Sequence, residues 1–277
     1  MPELPEVETM RRGIAGALGA RVADVVRPPR SRLRPMTIEP AGPRLRARLR
    51  GATITDVGRV GKRVVLGLGT GDRLVFEPRM TGLVLFRDPP SAEHVRLRLT
   101  LEGAPWPELI FWDRRGLGTV RLLDDAGFRA ACGPPRLGPD ALGLPLEALR
   151  ARLEGRRRPI KVALLDQAAL AGVGNIYAAE ALHRACIHPA RPCDRLAPGE
   201  WAALHRALQG VLDEAIRARG STLSDRTYRA ADSAEGGFQL AHLVYARAGQ
   251  PCRGCGAAVA RIVQAQRSTF FCPTCQV

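Results

Sequence analysis

The segment from about Arg247 to Val277 is too short to bury a core of its own, so it folds only around a staple. It carries Cys252, Cys255, Cys272 and Cys275 as two Cys-x-x-Cys pairs separated by sixteen residues. Two close pairs of thiols match one structural Zn2+ held tetrahedrally, with no coordination position left over for catalysis. A redox-active dithiol is the competing reading, and duplication of the pair argues for metal. Between the pairs, residues 261–271 read as a β-hairpin with Arg267 near its tip. That placement suits phosphate contact, and equally a solvated side chain on a structural knuckle. Cys132, Cys186 and Cys193 are scattered, so the chain is no disulfide framework, and a reducing compartment is expected.

The 277 residues leave room for two core-forming domains in front of this tail. Lys plus Arg outnumber Asp plus Glu by 42 to 27, a formal charge of +15. Such a surface meets a polyanion, and nucleic acid is the usual one, although GC-rich codons inflate Arg as well. Charges interrupt every apolar run before it reaches the length of a membrane span. The N-terminus is acidic and Pro-rich, without the apolar stretch of an export signal. The expected place is the cytoplasm, at the nucleoid.

Along the chain, Val7, Met10, Ile14 and Leu18 recur at helical spacing after Pro5 and Glu6. Short runs rich in Val, Leu and Thr follow: 63–68, 73–77, 83–87, 95–101, 108–112 and 118–122. Gly, Pro and Asp separate them, as in an antiparallel sandwich or barrel. Residues 133–139, Gly-Pro-Pro-Arg-Leu-Gly-Pro, mark a hinge. Helical segments are expected at 146–154, 160–171, 176–186, 200–220 and 238–245, with a polar loop at 221–237. The fold class is therefore α+β. A helix and β-sandwich domain spans 1–132, a helical domain 133–246, and a zinc-stapled hairpin 247–277.

Three further features carry chemistry. Ala171-Gly172-Val173-Gly174-Asn175-Ile176-Tyr177 is a Gly-containing turn into a helix, with Asn175 at the cap. Exposed N–H groups there favour phosphate, although ordinary helix packing explains the turn as well. Only two lysines, Lys62 and Lys161, stand against 40 arginines. Lys is a compact charge whose pKa can be shifted, so its retention at two positions points to roles that Arg cannot fill. At position 2 a small residue permits removal of Met1, exposing the secondary amine of Pro2. Amines attack carbonyl-like carbons to give iminium ions. Glu3 and Glu6 lie beside it, either as proton-transfer groups or as complements to the helix dipole.

In this order these pieces resemble the formamidopyrimidine-DNA glycosylase and endonuclease VIII family. The likeness runs from Pro2-Glu3-Leu4-Pro5-Glu6-Val7-Glu8-Thr9, through Lys62 and Gly172–Ala178, to Gln266-Arg267-Ser268-Thr269-Phe270 with its four cysteines. It implies a helix–two-turn–helix element in the middle domain. It also implies a monomer that binds double-stranded damaged DNA, flips the damaged nucleotide and cuts at the resulting abasic site. Pro2 would attack C1′, Glu3 would handle protons at the opening sugar, and Glu6 would support the site. Lys62 would contact phosphate and assist elimination. Lys161, Asn175 and Arg267 would grip the kinked backbone, with Arg267 also near the elimination chemistry. Arg157 would join the DNA-binding set. Met80, Arg115 and Leu117 would fill the space left by the flipped base.

The sequence departs from the family pattern at that last group. Asp113-Arg114-Arg115-Gly116-Leu117 lacks the usual Pro after Asp, and Leu stands where Phe is common. Glu77 lies near where a His is common. The Met80 and Arg115 pair leans towards oxidised purines such as 8-oxoguanine and formamidopyrimidines. The altered loop at 221–237 keeps an endonuclease VIII-like preference for oxidised pyrimidines as the alternative. Outside the family, a zinc-ribbon DNA-binding protein or an RNA-associated protein would share the charge and the cysteines. Neither would need Pro2, Glu3 and Lys62 together.

Overall fold

The computed structural model describes residues 2–28, 35–222, 228 and 236–277. Contact density divides the chain into two compact units. One comprises Met1–Gly133 with Ala218–Gly237, the other Pro134–Arg217 with Phe238–Val277. The division falls at the Gly133-Pro134 step, inside the stretch where Pro and Gly cluster. No helix among the described residues is long and apolar enough to cross a membrane.

The first unit begins with α1 (Leu4–Gly13), whose Val7, Met10 and Ile14 are buried in the core. Two antiparallel-rich sheets follow. One has the order β1 (Arg21–Val26), β7 (Val95–Glu102), β8 (Glu108–Asp113), β6 (Gly82–Leu85). The other runs β2 (Thr37–Glu39), β9 (Thr119–Leu123), β5 (Arg73–Glu77), β4 (Arg63–Leu68), β3 (Ile54–Val60). Side chains from both sheets and from α1 share one apolar cluster, including Leu66, Phe76, Leu97 and Phe111, so the sheets form the expected sandwich. Among the described strands, the one departure from antiparallel pairing is β2 against β9. Helices α2 (Gly42–Leu49) and α3 (Asp125–Cys132) complete the unit, and the Asp124 side chain caps α3 by accepting from the Gly127 N–H.

The second unit contains α4 (Leu146–Leu153), α5 (Ile160–Leu164), α6 (Asn175–Arg184), α7 (Pro198–Arg217) and the hairpin β10 (Ala260–Gln264) and β11 (Arg267–Phe271). Two expected helices are shorter than the periodicity suggests. The one expected over 160–171 stops at Leu164, because Asp166 and Gln167 turn their side chains onto nearby backbone. Asp166 Oδ1 accepts from Ala168 N–H, while Gln167 donates to Leu165 O and Val173 O and accepts from Gly172 N–H. These local bonds replace helical ones and build the Gly-Val-Gly turn. The helix expected over 238–245 is one 3-10 turn, Phe238–Ala241. The Glu180 carboxylate takes the next amides, of Leu243, Val244 and Tyr245.

Candidate functional site

Pro2 is buried at the start of α1, next to two carboxylates that are themselves almost fully buried. Glu3 is the N-cap, and a capping box joins it to Glu6, whose Oε2 accepts from the Glu3 N–H at 2.8 Å. Glu6 Oε1 accepts from the Ser221 N–H, also at 2.8 Å. One carboxylate therefore ties the Pro2 end of α1 to the neck of the segment after α7. Gly220 makes that approach feasible. It has φ +79°, and a Cβ there would sit 2.7 Å from Glu6 Oε1. Most of the 221–237 loop, along with Met1, lies outside the described residues.

Lys62 occupies the turn between β3 and β4 and is half-buried. The turn is braced from α1 by residues that sequence reasoning did not single out. Glu8 Oε1 accepts from Arg11 and Arg12 at 2.7 and 2.8 Å, and its Oε2 lies 3.2 Å from Arg59 Nε. Arg59 Nη1 in turn donates to Gly61 O at 2.8 Å, one residue before Lys62. Burial alone would raise the Glu8 carboxyl. Hydrogen bonds from Arg11 and Arg12 and the charges of Arg11 and Arg59 outweigh it, and hold the pKa at about 2 instead of 4.5. The brace therefore stabilises the fold above pH 4.5 and loses its contribution as pH falls towards about 2. Glu8→Gln is expected to lower the unfolding free energy at neutral pH by on the order of 2 kcal/mol. Urea unfolding across that acid range should show a flatter pH response than the native chain; an unchanged response would remove Glu8 from this role.

The turns carrying Met80 and Arg115 are held side by side, since Gly82 pairs with Asp113 across β6 and β8. Thr81 Oγ1 donates to Asp113 Oδ1, and the Arg115 N–H donates to Thr81 Oγ1 at 3.0 Å. Asp113 Oδ2 accepts from the Gly118 N–H at 2.7 Å, which closes the loop around Leu117. Met80 is 37% exposed and Arg115 is exposed, so neither belongs to the sandwich core; Leu117 is half-buried.

In the second unit Lys161 is fully buried. Its Nζ donates to Asn175 Oδ1 and Thr269 Oγ1 at 2.7 Å each, and to Ser268 O at 3.2 Å. Asn175 is not the cap that the sequence suggests: Gly174 holds that position and Asn175 opens α6. Its side chain is turned instead to the hairpin, with Nδ2 donating to Ser268 O at 2.9 Å. Arg267, the first residue of β11, is exposed, as is Arg157, and neither side chain has an ion pair among the described residues.

The four tail cysteines bring their sulfurs within 4.8 Å of one another. Cys252 and Cys275 Sγ are 3.9 Å apart, Cys255 and Cys272 Sγ 3.4 Å. Zn–S bonds of about 2.3 Å at tetrahedral angles separate sulfurs by about 3.8 Å, whereas a disulfide needs about 2.0 Å. The set therefore fits one Zn2+ with all four positions filled. Cys132 and Cys193 stand apart from it. Burial raises both thiols, Cys193 to about 11, and keeps them protonated.

Family models match three successive stretches of the chain. Residues 1–120 match the formamidopyrimidine-DNA glycosylase N-terminal domain, 137–227 its H2TH domain, and 249–277 the zinc finger found in FPG and IleRS. A formamidopyrimidine-DNA glycosylase of Chloroflexus aggregans is 42% identical over 281 residues, covering 100% of this chain and 99% of the relative. The crystal structure of the MutM (Fpg) protein of Thermus thermophilus superposes with a TM-score of 0.85 at 42% identity, covering 99% of this chain and 98% of that one. Lactococcus lactis Fpg in complex with abasic-site DNA gives 0.85 at 32% identity, with 99% of each chain covered. The chain belongs to the formamidopyrimidine-DNA glycosylase family.

Proposed function

We propose that this chain is a bifunctional base-excision enzyme that removes oxidised bases from duplex DNA and then cleaves the abasic strand. The observation that carries the reading is Pro2, buried at the head of α1 against Glu3 and Glu6 in a chain that matches the family from end to end. Once Met1 is gone, the Pro2 nitrogen is a secondary amine. It attacks C1′ of the flipped nucleotide, the C1′–N bond to the base breaks, and the base leaves as it gains a proton. Glu3 is placed to shuttle protons to the opening sugar. The resulting iminium acidifies the C2′ proton; its loss expels the 3′ phosphate, and a second elimination expels the 5′ phosphate.

The other residues divide by task. Glu6, with both oxygens committed to backbone N–H groups, fixes the amine's position and leaves proton transfer to Glu3. Lys62 neutralises phosphate during elimination. Met80, Leu117 and Arg115 occupy the space vacated by the flipped base, with Arg115 facing the orphaned partner. Arg267, Arg157 and the Asn175 turn hold the backbone, and Lys161 supports them from behind, its three donors being spent on Asn175 and the hairpin. The Zn2+ supplies the hairpin's fold. The protein acts as a monomer, in the cytoplasm at the nucleoid, where its substrate is. Catalytic work lies in 1–132, DNA grip in 133–246 and in the hairpin of 247–277.

The Met80 and Arg115 pair favours 8-oxoguanine and formamidopyrimidines over oxidised pyrimidines. The test is excision from duplexes that carry 8-oxoguanine, a formamidopyrimidine or dihydrouracil. Faster release of the two purine lesions is expected. Faster release of dihydrouracil would support the pyrimidine preference instead, and excision of none would end the glycosylase assignment.

A further inference from the structure

One stripe of α6 faces the zinc module at three levels. Asn175 at the helix start donates to Ser268 O. Ala179, one turn on, packs with Val244, Val259, Cys252 and Cys272 in a small apolar cluster. His183, a further turn on, places Nε2 3.5 Å from the Sγ of Cys252. The spacing i, i+4, i+8 puts all three on the same side. His183 is only 8% exposed, and its Nδ1 is buried with no hydrogen-bond partner among the described residues.

A neutral imidazole places its one proton on either nitrogen. On Nδ1 the proton would be a buried donor without an acceptor, and the Nε2 lone pair would face a thiolate. On Nε2 it meets the sulfur, and only a lone pair at Nδ1 is left unmatched. Orphaned N–H groups are the rarer and costlier of the two. The sulfurs also need donors. Four thiolates on one Zn2+ leave roughly two net negative charges, here in a partly apolar setting. Two backbone bonds answer part of that need, from Gly254 N–H to Cys252 Sγ and from Cys275 N–H to Cys272 Sγ, both 3.4 Å.

We propose that His183 donates its Nε2–H to the Cys252 thiolate of the zinc-loaded site and so helps retain the metal. Cys252 then receives two N–H donors, and the helix that opens with Asn175 ends on a metal-bound sulfur. His183 is a positioning residue: it acts through the sulfur and touches neither metal nor DNA.

The test compares His183→Phe, which keeps the bulk and loses the donor, with His183→Gln, which keeps an N–H. Zinc affinity of the full-length protein is read by competition with a coloured chelator. The sulfur-to-metal charge-transfer bands are read after Co2+ replacement. His183→Phe is expected to bind zinc about tenfold more weakly, with shifted bands, while His183→Gln stays near the native protein. Native affinity and bands in His183→Phe overturn the proposal. Equal loss in both variants also overturns it, since packing alone would then account for the effect. Should His183→Phe fail to fold, the Gln variant decides against the native chain: unaltered zinc affinity and bands support the bond, and a tenfold loss refutes it.

Discussion

Replacement of Pro2 by Gln should abolish the covalent adduct that borohydride traps between this protein and abasic-site DNA. A bulky residue at position 2 keeps Met1 on the chain, so the terminal amine moves outward by one residue, about 3.8 Å along the backbone. Proximity is most of what such a nucleophile contributes, and displacement on that scale takes the nitrogen out of reach of C1′. Strand cleavage at an abasic site should fall at least ~10³-fold, the scale seen when an enzyme loses its nucleophile. Binding to the same duplex should change little, because phosphate contacts supply most of that affinity. The two readouts separate chemistry from folding. Undiminished trapping would assign the attack to another amine, and Lys62 would be the first to examine.

Removal of zinc should have the second largest effect, and should strike binding. The β10–β11 hairpin is two-stranded and rests on a small apolar cluster, an arrangement that is marginal in water without its metal. Its loss releases Ser268 and Thr269, which accept bonds from Lys161 Nζ and, at Ser268, the Asn175 amide. A buried ammonium left in that state cannot stay put, and the turn it supports goes with it. Cys272→Ser, at a fully buried ligand, is expected to lower affinity for abasic duplex by about 100-fold or more. Far-UV signal from the first unit's sheets should persist. A zinc-free protein that binds DNA as tightly as the loaded one would contradict the support role given to Lys161.

The sequence was legible where the physics is local. Strands β4 and β5 are short apolar runs of Val, Leu and Phe with Arg63, Arg73 and Glu77 at their ends, and Gly and Pro mark the turns. The cysteine spacing alone defined the metal site. Misreadings arose where a side chain competed with the backbone: Asp166 and Gln167 ended a helix whose apolar period continues, and Glu180 took the amides of 243–245. Asn175 looked like a cap because Asn usually is one, whereas its partner is about ninety residues away in the hairpin. Glu8 pairs locally with Arg11 and Arg12, but its reach to Arg59, like that of His183 to Cys252, crosses 51 and 69 residues respectively, and no spacing rule encodes either.

The neck at Glu6 also bears on how freely the stretch beyond it can vary in length. Ser221 and Gly237 are bridged as an antiparallel pair, and Gly236 N–H donates to Thr222 Oγ1, so both ends of the intervening stretch are fastened before it begins. With its ends closed, doubling the length of such a stretch costs only about 0.6 kcal/mol of closure entropy. Changes of length between those ends thus cost little for folding, provided that Tyr228, whose hydroxyl donates to Glu6 O and Arg219 O, keeps its place in the apolar core. Length can therefore vary beside the head of α1 while the carboxylate that fixes the position of that helix end keeps both of its backbone bonds.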